Sequence, residues 1–448
     1  MKKVLVLGAG LVARPLVRYL LDQPDFQVTV ASRTKAKADA LVHGHHRGRS
    51  LQLVTENAAG LAALVADHDL AISLLPAPQH PLVAELCVRQ RKHMVTTSYI
   101  SPKMQTFDGP ARDAGVMLLN EIGVDPGIDH MSAMRIIHDV EKRGGKIVSF
   151  RSYCGGLPAP EANDNPWGYK FSWSPRGVCT AGKNAAKWLE AGKLVEIPGQ
   201  DLFLQNHPVP VEGVPGHRAL EGYPNRDSLS YIDVYGLQGV ETMFRGTLRY
   251  PGWSACMKKV VDFGLLDETP VTYPAGMTFA QWTAGFLGSS GTGLRGEALR
   301  KAVAQHLGLG PKSNVLVRWE WLGLFSDEPL PYTDAPTTAL DILAARMEMK
   351  MPYRPGERDM IVLMHQFLAR FPGKDQRISS TLIDFGTPEG DTSMARTVSL
   401  PAAIASRLIL TGQIRLSGVH APVRPEIYNP VLDELATMKI RCVERFES

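Results

Sequence analysis

The start of the chain constrains the fold more than any other segment. An apolar run, KVLVL (3–7), leads directly into GAGLVA (8–13), and an apolar pattern of helical period follows. Gly8, Gly10 and Ala13 therefore fall between a strand and a helix, where small residues let the backbone approach a pyrophosphate at the helix N-terminus. A tight turn that holds no ligand is the alternative. We predict a nucleotide-binding turn here.

The same alternation of strand and helix patterns continues to residue 124. Short apolar runs are separated by segments of helical periodicity, which indicates a parallel sheet whose strands are connected by crossover helices. We therefore predict an α/β chain that begins with a doubly wound sheet. The strands predicted after the first are FQVTVASR (26–33), LQLVT (51–55), LAISLLP (70–76), HMVTTS (93–98) and VMLLNEIG (116–123).

Composition and charge indicate a small ligand. The chain has 448 residues and a formal net charge of +4, and its cations are dispersed apart from HGHHRGR (43–49). A nucleic-acid binder carries a basic stripe or patch, so we predict no nucleic-acid partner. No run approaches the roughly 18 apolar residues of a membrane span, so we predict no membrane partner either.

Cysteine use and the first residues predict a cytoplasmic protein. The five cysteines lie far apart, with no CxxC pair and no metal-ligand spacing, which fits a reducing compartment. MKKVLVLGAG (1–10) imitates the charged and apolar parts of a signal peptide. Its glycines, Arg14 and Pro15 interrupt that pattern, and no cleavage-like site follows.

The end of the second predicted strand indicates which nucleotide binds. In a dinucleotide-binding fold this position lies beside the adenosine ribose, where an acid would bind the 2′-hydroxyl and repel a 2′-phosphate. This chain instead has Ser32, Arg33 and Thr34, which offer a guanidinium fork for phosphate and two hydroxyl donors. We therefore predict NADP over NAD. The alternative is an exposed Arg33 at the start of a surface helix, with Ser32 or Thr34 as its cap.

The pattern changes after residue 124 and again near residue 255. Longer polar strands such as IVSFRSYCGG (147–156) come first, and helical segments such as EALRKAVAQHL (297–307) and ALDILAARMEM (339–349) follow. DMIVLMHQFLARF (359–371) and ISSTLIDFG (378–386) predict strands that return to the second sheet, and MARTVSLPAAIASRLIL (394–410) predicts a final helix that packs on the first domain. The predicted domains are 1–124 completed by about 393–448, a second α/β domain formed by 125–250 and 335–392, and a helical insertion at 251–334.

Several long motifs occur in order along the chain. They are ARPL after the glycines, LNEIGVDPGIDH (119–130), SYCGGLPAPE (152–161), YKFSWSPRGV (169–178), YPNRDS (223–228), RGTLRYPG (245–252) and WLGLFSD (321–327). These motifs resemble the glutamate-forming saccharopine dehydrogenases, also called saccharopine reductases. The similarity runs from the first strand to LPAAIA (400–405) and departs in HGHHRGRS (43–50) and through the helical insertion.

The resemblance implies an NADP-dependent reaction in lysine metabolism. Glutamate and 2-aminoadipate 6-semialdehyde condense, NADPH reduces the imine to saccharopine, and the reverse reaction oxidises saccharopine and releases glutamate. The resemblance also implies a variant Rossmann domain, a second α/β domain for substrate binding and dimerisation, a helical third domain, a homodimer and no metal. The direction that the cell uses stays open, because one active site serves both.

The proposed substrate requires cations in its pocket. Saccharopine carries three carboxylates, and guanidinium groups suit carboxylates because they donate two parallel hydrogen bonds. Arg245 and Arg249 are four residues apart and face the same way in either a strand or a helix. For each arginine a structural ion pair is the alternative, for instance Arg226 with Asp227. The resemblance favours Arg226, Arg245, Gly246 and Thr247 as substrate-binding residues.

Proton transfer needs a titratable side chain beside the substrate nitrogen. In the oxidative direction the secondary ammonium must lose a proton before its carbon gives up a hydride. The matching motifs offer Asp125, Tyr99 and Cys154 as candidate catalytic residues, and Ser98, Tyr99 and Asp125 as substrate contacts. Structural alternatives are a turn acceptor for Asp125, a packing ring with a tethered hydroxyl for Tyr99, and a buried apolar residue for Cys154.

The candidate cofactor site extends beyond the glycine turn. Trp173 lies in a loop rich in Gly and Pro, where it either covers the nicotinamide or packs in the core. The predicted cofactor-binding residues are Gly8, Gly10, Leu11, Val12, Ser32, Arg33, Thr34, Thr97, Ser98, Val124 and Trp173.

Two clusters imitate metal sites without predicting one. Asp125, Asp129 and His130 have no partner cluster with metal-ligand spacing. The histidines of HGHH (43–46) lie in a predicted exposed loop. We predict no metal cofactor.

Two other functions stay open on the sequence alone. The first is another NADPH-dependent reductive condensation, such as carboxynorspermidine synthesis, whose polyamine substrate favours acids where this chain has RGTLRYPG and YPNRDS. The second is an NADP-binding regulator without catalysis. An assay of NADPH oxidation with glutamate and the semialdehyde separates these functions.

Overall fold

A computed structural model describes residues 1–54 and 57–447 of the chain. Contacts divide the chain into two compact units, each of them discontinuous in sequence. The first unit comprises Met1–Val148, Asp233–Gln238 and Leu363–Ser448, and the second comprises Ser149–Ile232 and Gly239–Val362.

The first part of the first unit alternates strands and helices. Its elements are β1 (Lys2–Leu7), α1 (Ala13–Asp22), β2 (Phe26–Ser32), α2 (Lys35–Val42), β3 (Gly48–Gln52), α3 (Ala58–Asp67), β4 (Leu70–Ser73), α4 (His80–Arg89), β5 (His93–Thr96), α5 (Pro102–Gln105), α6 (Asp108–Ala114), β6 (Met117–Leu119) and α7 (Ile128–Lys142). The predicted strand LQLVT is observed earlier, as β3, and its last residue, Thr55, lies outside the described residues.

The next part of the chain lies mostly in the second unit, although its residues before 149, from 233 to 238 and after 362 belong to the first unit. Its elements are β7 (Lys146–Pro158), α8 (Pro175–Ala181), β8 (Ala186–Glu190), β9 (Lys193–Ile197), β10 (His207–Pro210), β11 (Ala219–Pro224), α9 (Ser230–Tyr235), β12 (Thr242–Arg249), α10 (Trp253–Asp262), β13 (Val271–Thr272), α11 (Phe279–Gly285), α12 (Gly296–His306), α13 (Asn314–Leu322), β14 (Pro336–Thr337), α14 (Ala339–Lys350) and β15 (Asp359–Phe371). The strands predicted at 147–156 and 359–371 and the helices predicted at 297–307 and 339–349 are therefore confirmed.

The last part of the chain belongs to the first unit. Its elements are β16 (Lys374–Phe385), α15 (Ser393–Leu410), β17 (Gly418–His420), α16 (Pro425–Thr437) and β18 (Val443–Glu447). The helix predicted at 394–410 is present as α15 and packs against α1. The prediction that it is the final helix is wrong, because α16 follows. Pro430 inside α16 conceals that helix in the sequence.

One parallel sheet organises the first unit. Its strand order is β17-β6-β5-β4-β1-β2-β3, and every neighbouring pair is parallel. Both faces are covered by helices, so strand residues such as Leu5, Ile72 and Leu118 have no exposed surface. The predicted doubly wound α/β sheet is confirmed. Ligands bind such sheets at the carboxyl ends of the strands where the strand order reverses, here at β1 and β4.

A mixed sheet organises the second unit. In it β12 pairs in parallel with β7 and antiparallel with β11, and β11 pairs with β10. The segment that follows β12 is mainly helical, from α10 to α13. The division into three domains with the bounds given above stays a prediction. Among the described helices, none combines the length and the apolar content of a membrane span.

Candidate active site

The glycine turn after β1 has the shape of a phosphate site. Gly8 has φ +111°, and a Cβ atom there would lie 2.9 Å from the carbonyl oxygen of Leu74, so only glycine fits. A Cβ atom on Gly10 would meet nothing within 4 Å, so this glycine faces open space. The first turn of α1 has no acid and no side-chain cap at Val12. The Ala13 N–H donates to the carbonyl oxygen of Gly10 at 3.2 Å and Pro15 has no N–H, so the other N–H groups of this turn are the ones that would hold an anion. Leu11 beside them is 72% exposed.

The end of β2 offers donors that fit a 2′-phosphate. Arg33 and Thr34 are exposed, and Ser32 is half-buried. Within residues 1–54 and 57–447, the guanidinium of Arg33 forms no ion pair. Thr34 occupies the N-cap position of α2 without a side-chain cap, and the Ser32 hydroxyl accepts a hydrogen bond from the Thr34 N–H at 3.3 Å. Neither Ser32 nor Thr34 therefore caps α2 through its side chain. Ser32, Arg33 and Thr34 together fit the 2′-phosphate of NADP.

A buried histidine supports the loop that follows β5. One ring nitrogen of His80 lies 2.9 Å from the Ser73 hydroxyl, and the other lies 2.8 Å from the Ser98 hydroxyl. Burial lowers the pKa of His80 to about 4. A neutral imidazole therefore connects the ends of β4 and β5 at the edge where ligands bind. His80 was missed by the sequence reasoning, since its motif carries no chemical signature.

The structure brings two of the three candidate catalytic residues together. Tyr99 follows β5 and Asp125 follows β6, and the Tyr99 hydroxyl donates to Oδ1 of Asp125 at 3.2 Å. Both side chains are partly exposed, whereas Val124 beside them is buried. Thr97, like Tyr99, is only partly buried at the carboxyl end of β5. The Asp125–Pro126 peptide bond is cis.

A buried carboxylate that was not singled out in the sequence joins these two loops. Glu121 is 6% exposed, and its Oε1 accepts the N–H of Ile100 at 2.8 Å. Its Oε2 lies 2.8 Å from Nε2 of His130. Glu121 lies within the motif LNEIGVDPGIDH, and this motif is the sequence signal that could have identified it. Its role can be seen only from the three-dimensional positions of its contacts.

The clusters that imitate metal sites have other contacts. Oδ1 of Asp129 accepts the backbone N–H groups of Gly127 and His130 at 2.5 and 2.8 Å. The rings of His45 and His46 stack with their centroids 4.7 Å apart. Across the part of the chain that the structure describes, no group of three or more His, Cys, Asp or Glu residues could hold a metal ion.

In the second unit, one sheet face carries two of the predicted substrate residues, Arg245 and Thr247, and the candidate catalytic residue Cys154. The register pairs Arg245 with Ser152 and Thr247 with Cys154 in parallel strands, and Thr247 with Tyr223 in antiparallel strands. Paired residues point to the same side of a sheet, so Arg245, Thr247 and Cys154 share a face. Arg249 belongs to the same face because it lies two residues beyond Thr247.

The two arginines of this face are buried among aromatic rings. Arg245 is 5% exposed, and its guanidinium carbon lies 4.2 Å from the centroid of Tyr231. Arg249 is 6% exposed, and its guanidinium carbon lies 5.0 Å from the centroid of Tyr169. Among the described residues, no acid forms an ion pair with Arg249, whose Nη1 donates to the carbonyl oxygen of Leu248 at 2.7 Å. A buried cation without an acid favours an anionic ligand.

Arg226, Gly246 and Trp173 have distinct environments in the second unit. Arg226 is exposed in the turn after β11 with φ +55°. Asp227, the partner named in the alternative, pairs with Lys187 at 3.1 Å.

Close packing explains the other two predicted residues in part. A Cβ atom on Gly246 would lie 2.9 Å from the carbonyl oxygen of Tyr223, so the strand needs glycine there for packing alone. The Trp173 indole N–H donates to the Tyr169 hydroxyl at 3.1 Å. Their roles toward substrate and cofactor stay predictions.

The doubly wound sheet, the glycine turn and the donors at the end of β2 define an NADP-dependent oxidoreductase of the Rossmann type. Two family models match the chain: the saccharopine dehydrogenase NADP binding domain over residues 4–119, and the saccharopine dehydrogenase C-terminal domain over residues 123–440. The chain belongs to the saccharopine dehydrogenase family. The resemblance read from the motifs and the prediction of NADP are both confirmed.

Relatives cover the chain from end to end. The saccharopine dehydrogenase (NADP(+), L-glutamate-forming) of Schizosaccharomyces pombe is 42% identical over 99% of both chains. The apo saccharopine dehydrogenase (L-Glu forming) of Saccharomyces cerevisiae superposes with a TM-score of 0.90 at 39% identity and covers 100% of both chains. The mitochondrial alpha-aminoadipic semialdehyde synthase of Bos taurus is 39% identical over 97% of this chain and 46% of its own length.

Proposed function

We propose that this enzyme catalyses the reversible, NADP-dependent condensation of L-glutamate with L-2-aminoadipate 6-semialdehyde to form saccharopine, in lysine metabolism. The observation that carries the proposal is the 42% identity that spans 99% of this chain and of a glutamate-forming saccharopine dehydrogenase. The two buried arginines on one sheet face support the same substrate, since saccharopine has three carboxylates.

The residues of the first unit would hold the cofactor. The N–H groups at the start of α1 take the pyrophosphate, and Arg33 with its neighbouring hydroxyls takes the 2′-phosphate. When bound, NADP(H) supplies or accepts the hydride of the reaction. Thr97, Ser98 and Val124 line the carboxyl edge of the sheet on the nicotinamide side. Trp173 of the second unit is proposed to cover the nicotinamide.

Arginines of the second unit would bind the substrate carboxylates. Arg245 and Arg249 lie on one face of β12 with Thr247, which supplies a hydroxyl donor between them. Arg226 reaches the substrate from its turn. The aromatic rings beside Arg245 and Arg249 keep water from the guanidinium groups, which strengthens their attraction for carboxylates.

Asp125 and Tyr99 would manage the proton of the substrate nitrogen. In the oxidative direction the secondary ammonium passes its proton to the Asp125 carboxylate before the C–N bond is oxidised. The Tyr99 hydroxyl, which donates to Oδ1 at 3.2 Å, orients that carboxylate. Cys154 is the third candidate, on the face that carries Thr247.

The enzyme is also proposed to be a cytoplasmic homodimer. The five cysteines are free thiols in the structure, which supports a reducing compartment. The homodimer rests on the family resemblance. Light scattering of the purified protein tests it, because a mass equal to that of one chain contradicts a dimer.

A steady-state assay tests the reaction. NADPH oxidation should require both glutamate and the semialdehyde, and NADP reduction should require saccharopine. Turnover with a diamine in place of glutamate would favour a carboxynorspermidine-type reaction instead. Tight NADPH binding without turnover of any of these substrates would identify a regulator.

A further inference from the structure

We propose that Glu121 is the positioning residue that sets the Tyr99–Asp125 pair for proton transfer. This inference rests on the proposed function, because it assigns Tyr99 and Asp125 to the substrate nitrogen. Glu121 itself is buried and does not need to touch the substrate. It acts by fixing the two loops that carry the pair.

Glu121 adopts a backbone conformation that is unfavourable for a residue with a long side chain. Its φ is +58°, in the left-handed region where glycine is favoured and long side chains are rare. A glycine would relieve this strain. The chain instead holds a glutamate whose carboxylate is almost fully buried, at 6% exposure. Its carboxylate contacts Ile100 and His130, and these contacts, which glycine would lack, offset the strain.

The carboxylate and backbone of Glu121 bind the loop that carries Tyr99 on both sides of that residue. Oε1 accepts the N–H of Ile100 at 2.8 Å. The backbone N–H of Glu121 donates to the carbonyl oxygen of Ser98 at 3.0 Å. Because Ser98 and Ile100 flank Tyr99, these two bonds fix the peptide units from which the Tyr99 ring projects.

The second carboxylate oxygen anchors the loop that carries Asp125. Oε2 lies 2.8 Å from Nε2 of His130, at the start of α7. Nδ1 of the same ring lies 2.5 Å from the Tyr235 hydroxyl, and His130 has no exposed surface. Asp125 lies between Glu121 and His130 in sequence, so its loop is held at both ends. A displacement of about 1 Å at a reacting group can lower turnover about a hundredfold, so this anchoring matters for the rate.

Three variants distinguish a positioning role of Glu121 from an effect of its charge and from an effect on protein stability. Glu121→Gln keeps both contacts, because the amide oxygen still accepts from Ile100 and the amide N–H donates to the other tautomer of His130. Glu121→Gly removes both contacts and relieves the strained φ. Glu434→Ala is the control, since it breaks another partly buried network of the first unit, in which Glu434 accepts from Tyr19 at 2.5 Å.

The kinetic result expected is a loss confined to turnover. Glu121→Gly should lower kcat about tenfold to a hundredfold with NADPH affinity unchanged, and Glu121→Gln should stay within about threefold of wild type. Glu434→Ala should lower the melting temperature without lowering kcat. The inference is overturned if Glu121→Gly keeps its kcat, if Glu121→Gln loses as much as Glu121→Gly, or if Glu121→Gly loses NADPH binding.

Hydrogen exchange gives a second result that does not depend on turnover. The Ile100 amide should exchange faster in Glu121→Gly than in wild type, and at the wild-type rate in Glu121→Gln. An unchanged rate in Glu121→Gly contradicts the anchoring. If wild type does not turn over saccharopine, the proposed reaction is rejected. The exchange rates of the variants test the positioning role of Glu121 independently of that result.

Discussion

Arg33 is the residue on which cofactor choice should depend. A 2′-phosphate would bond to Arg33, Ser32 and Thr34, whereas NADH leaves these donors solvated. Arg33→Ala should therefore weaken NADPH binding by roughly 1.5–3 kcal/mol, about tenfold to a hundredfold, and change NADH binding little. Added salt should reduce the wild-type preference, because an exposed ion pair is screened.

Fluorescence titration of both cofactors measures this preference. Arg89→Ala is a suitable control, since Arg89 is exposed in the last turn of α4, away from the carboxyl ends of the strands. Equal losses of NADH and NADPH in Arg33→Ala would mean that Arg33 supports the fold and does not bind phosphate.

Arg245 should bind saccharopine through the planar shape of its guanidinium group. Arg245→Lys keeps the charge but loses the two parallel donors, so saccharopine binding should fall by about tenfold to a hundredfold with NADPH binding intact. Arg151 provides the control, because it pairs in register with Phe244, on the opposite face of the same sheet. Arg151→Lys should leave the KM for saccharopine unchanged. Equal KM values in the two variants would remove Arg245 from the substrate site.

At the scale of an element, the connection from β4 to β5 should make stability sensitive to pH. The folded pKa of His80 is about 4, well below the ordinary value of 6.5. Between these values the unfolded chain binds the proton more readily, so stability falls as pH falls, by at most about 3 kcal/mol. His80→Gln should lose this component of the pH dependence.

Thermal unfolding between pH 7 and pH 4 tests the role of His80. The melting temperature of wild type should fall more steeply than that of His80→Gln over this range. His43→Gln, at an exposed position, is the control and should follow wild type. Parallel curves for wild type and His80→Gln would show that His80 is protonated equally in both states.

Elements with strong local patterns could be predicted from the sequence, and elements that depend on distant partners could not. The run KVLVL and the glycines after it define β1 and its turn by composition alone. β17 has three residues and pairs in parallel with β6, from Gly418 beside Met117 to His420 beside Leu119. So short a strand has no periodicity to detect, and it is a strand only because β6 lies beside it.

The residues of the candidate site divide in the same way, into those with a local sequence signal and those whose role depends on distant partners. Tyr99 and Asp125 could be named from the motifs that carry them, but the hydrogen bond between them could not be predicted. Glu121 was overlooked because positive φ is not encoded by residue type, and His80 because its partners, Ser73 and Ser98, come together only in the folded sheet.

At the scale of the whole molecule, the cofactor domain should need both ends of the chain. A fragment of residues 1–124 lacks β17 beside β6 and α15 against α1, so it exposes a strand edge and an apolar helix face. We expect this fragment to be insoluble or unable to bind NADPH. Joining residues 1–148 to residues 363–448 by a flexible linker should restore binding. NADPH binding by the fragment 1–124 with the affinity of the whole chain would refute this expectation.

The place of β17 in the sheet also has a consequence for protein synthesis. A ribosome adds about 5–20 residues per second, so the roughly 300 residues from β6 to β17 take about 15–60 s to make. During that time the nascent N-terminal part has an open edge at β6. In the folded protein the Asn120 N–H at this edge donates to the carbonyl oxygen of His420 at 2.8 Å, and this acceptor has not yet been synthesised. The β6 edge of the nascent chain therefore stays unpaired until β17 has been synthesised and can add to the sheet.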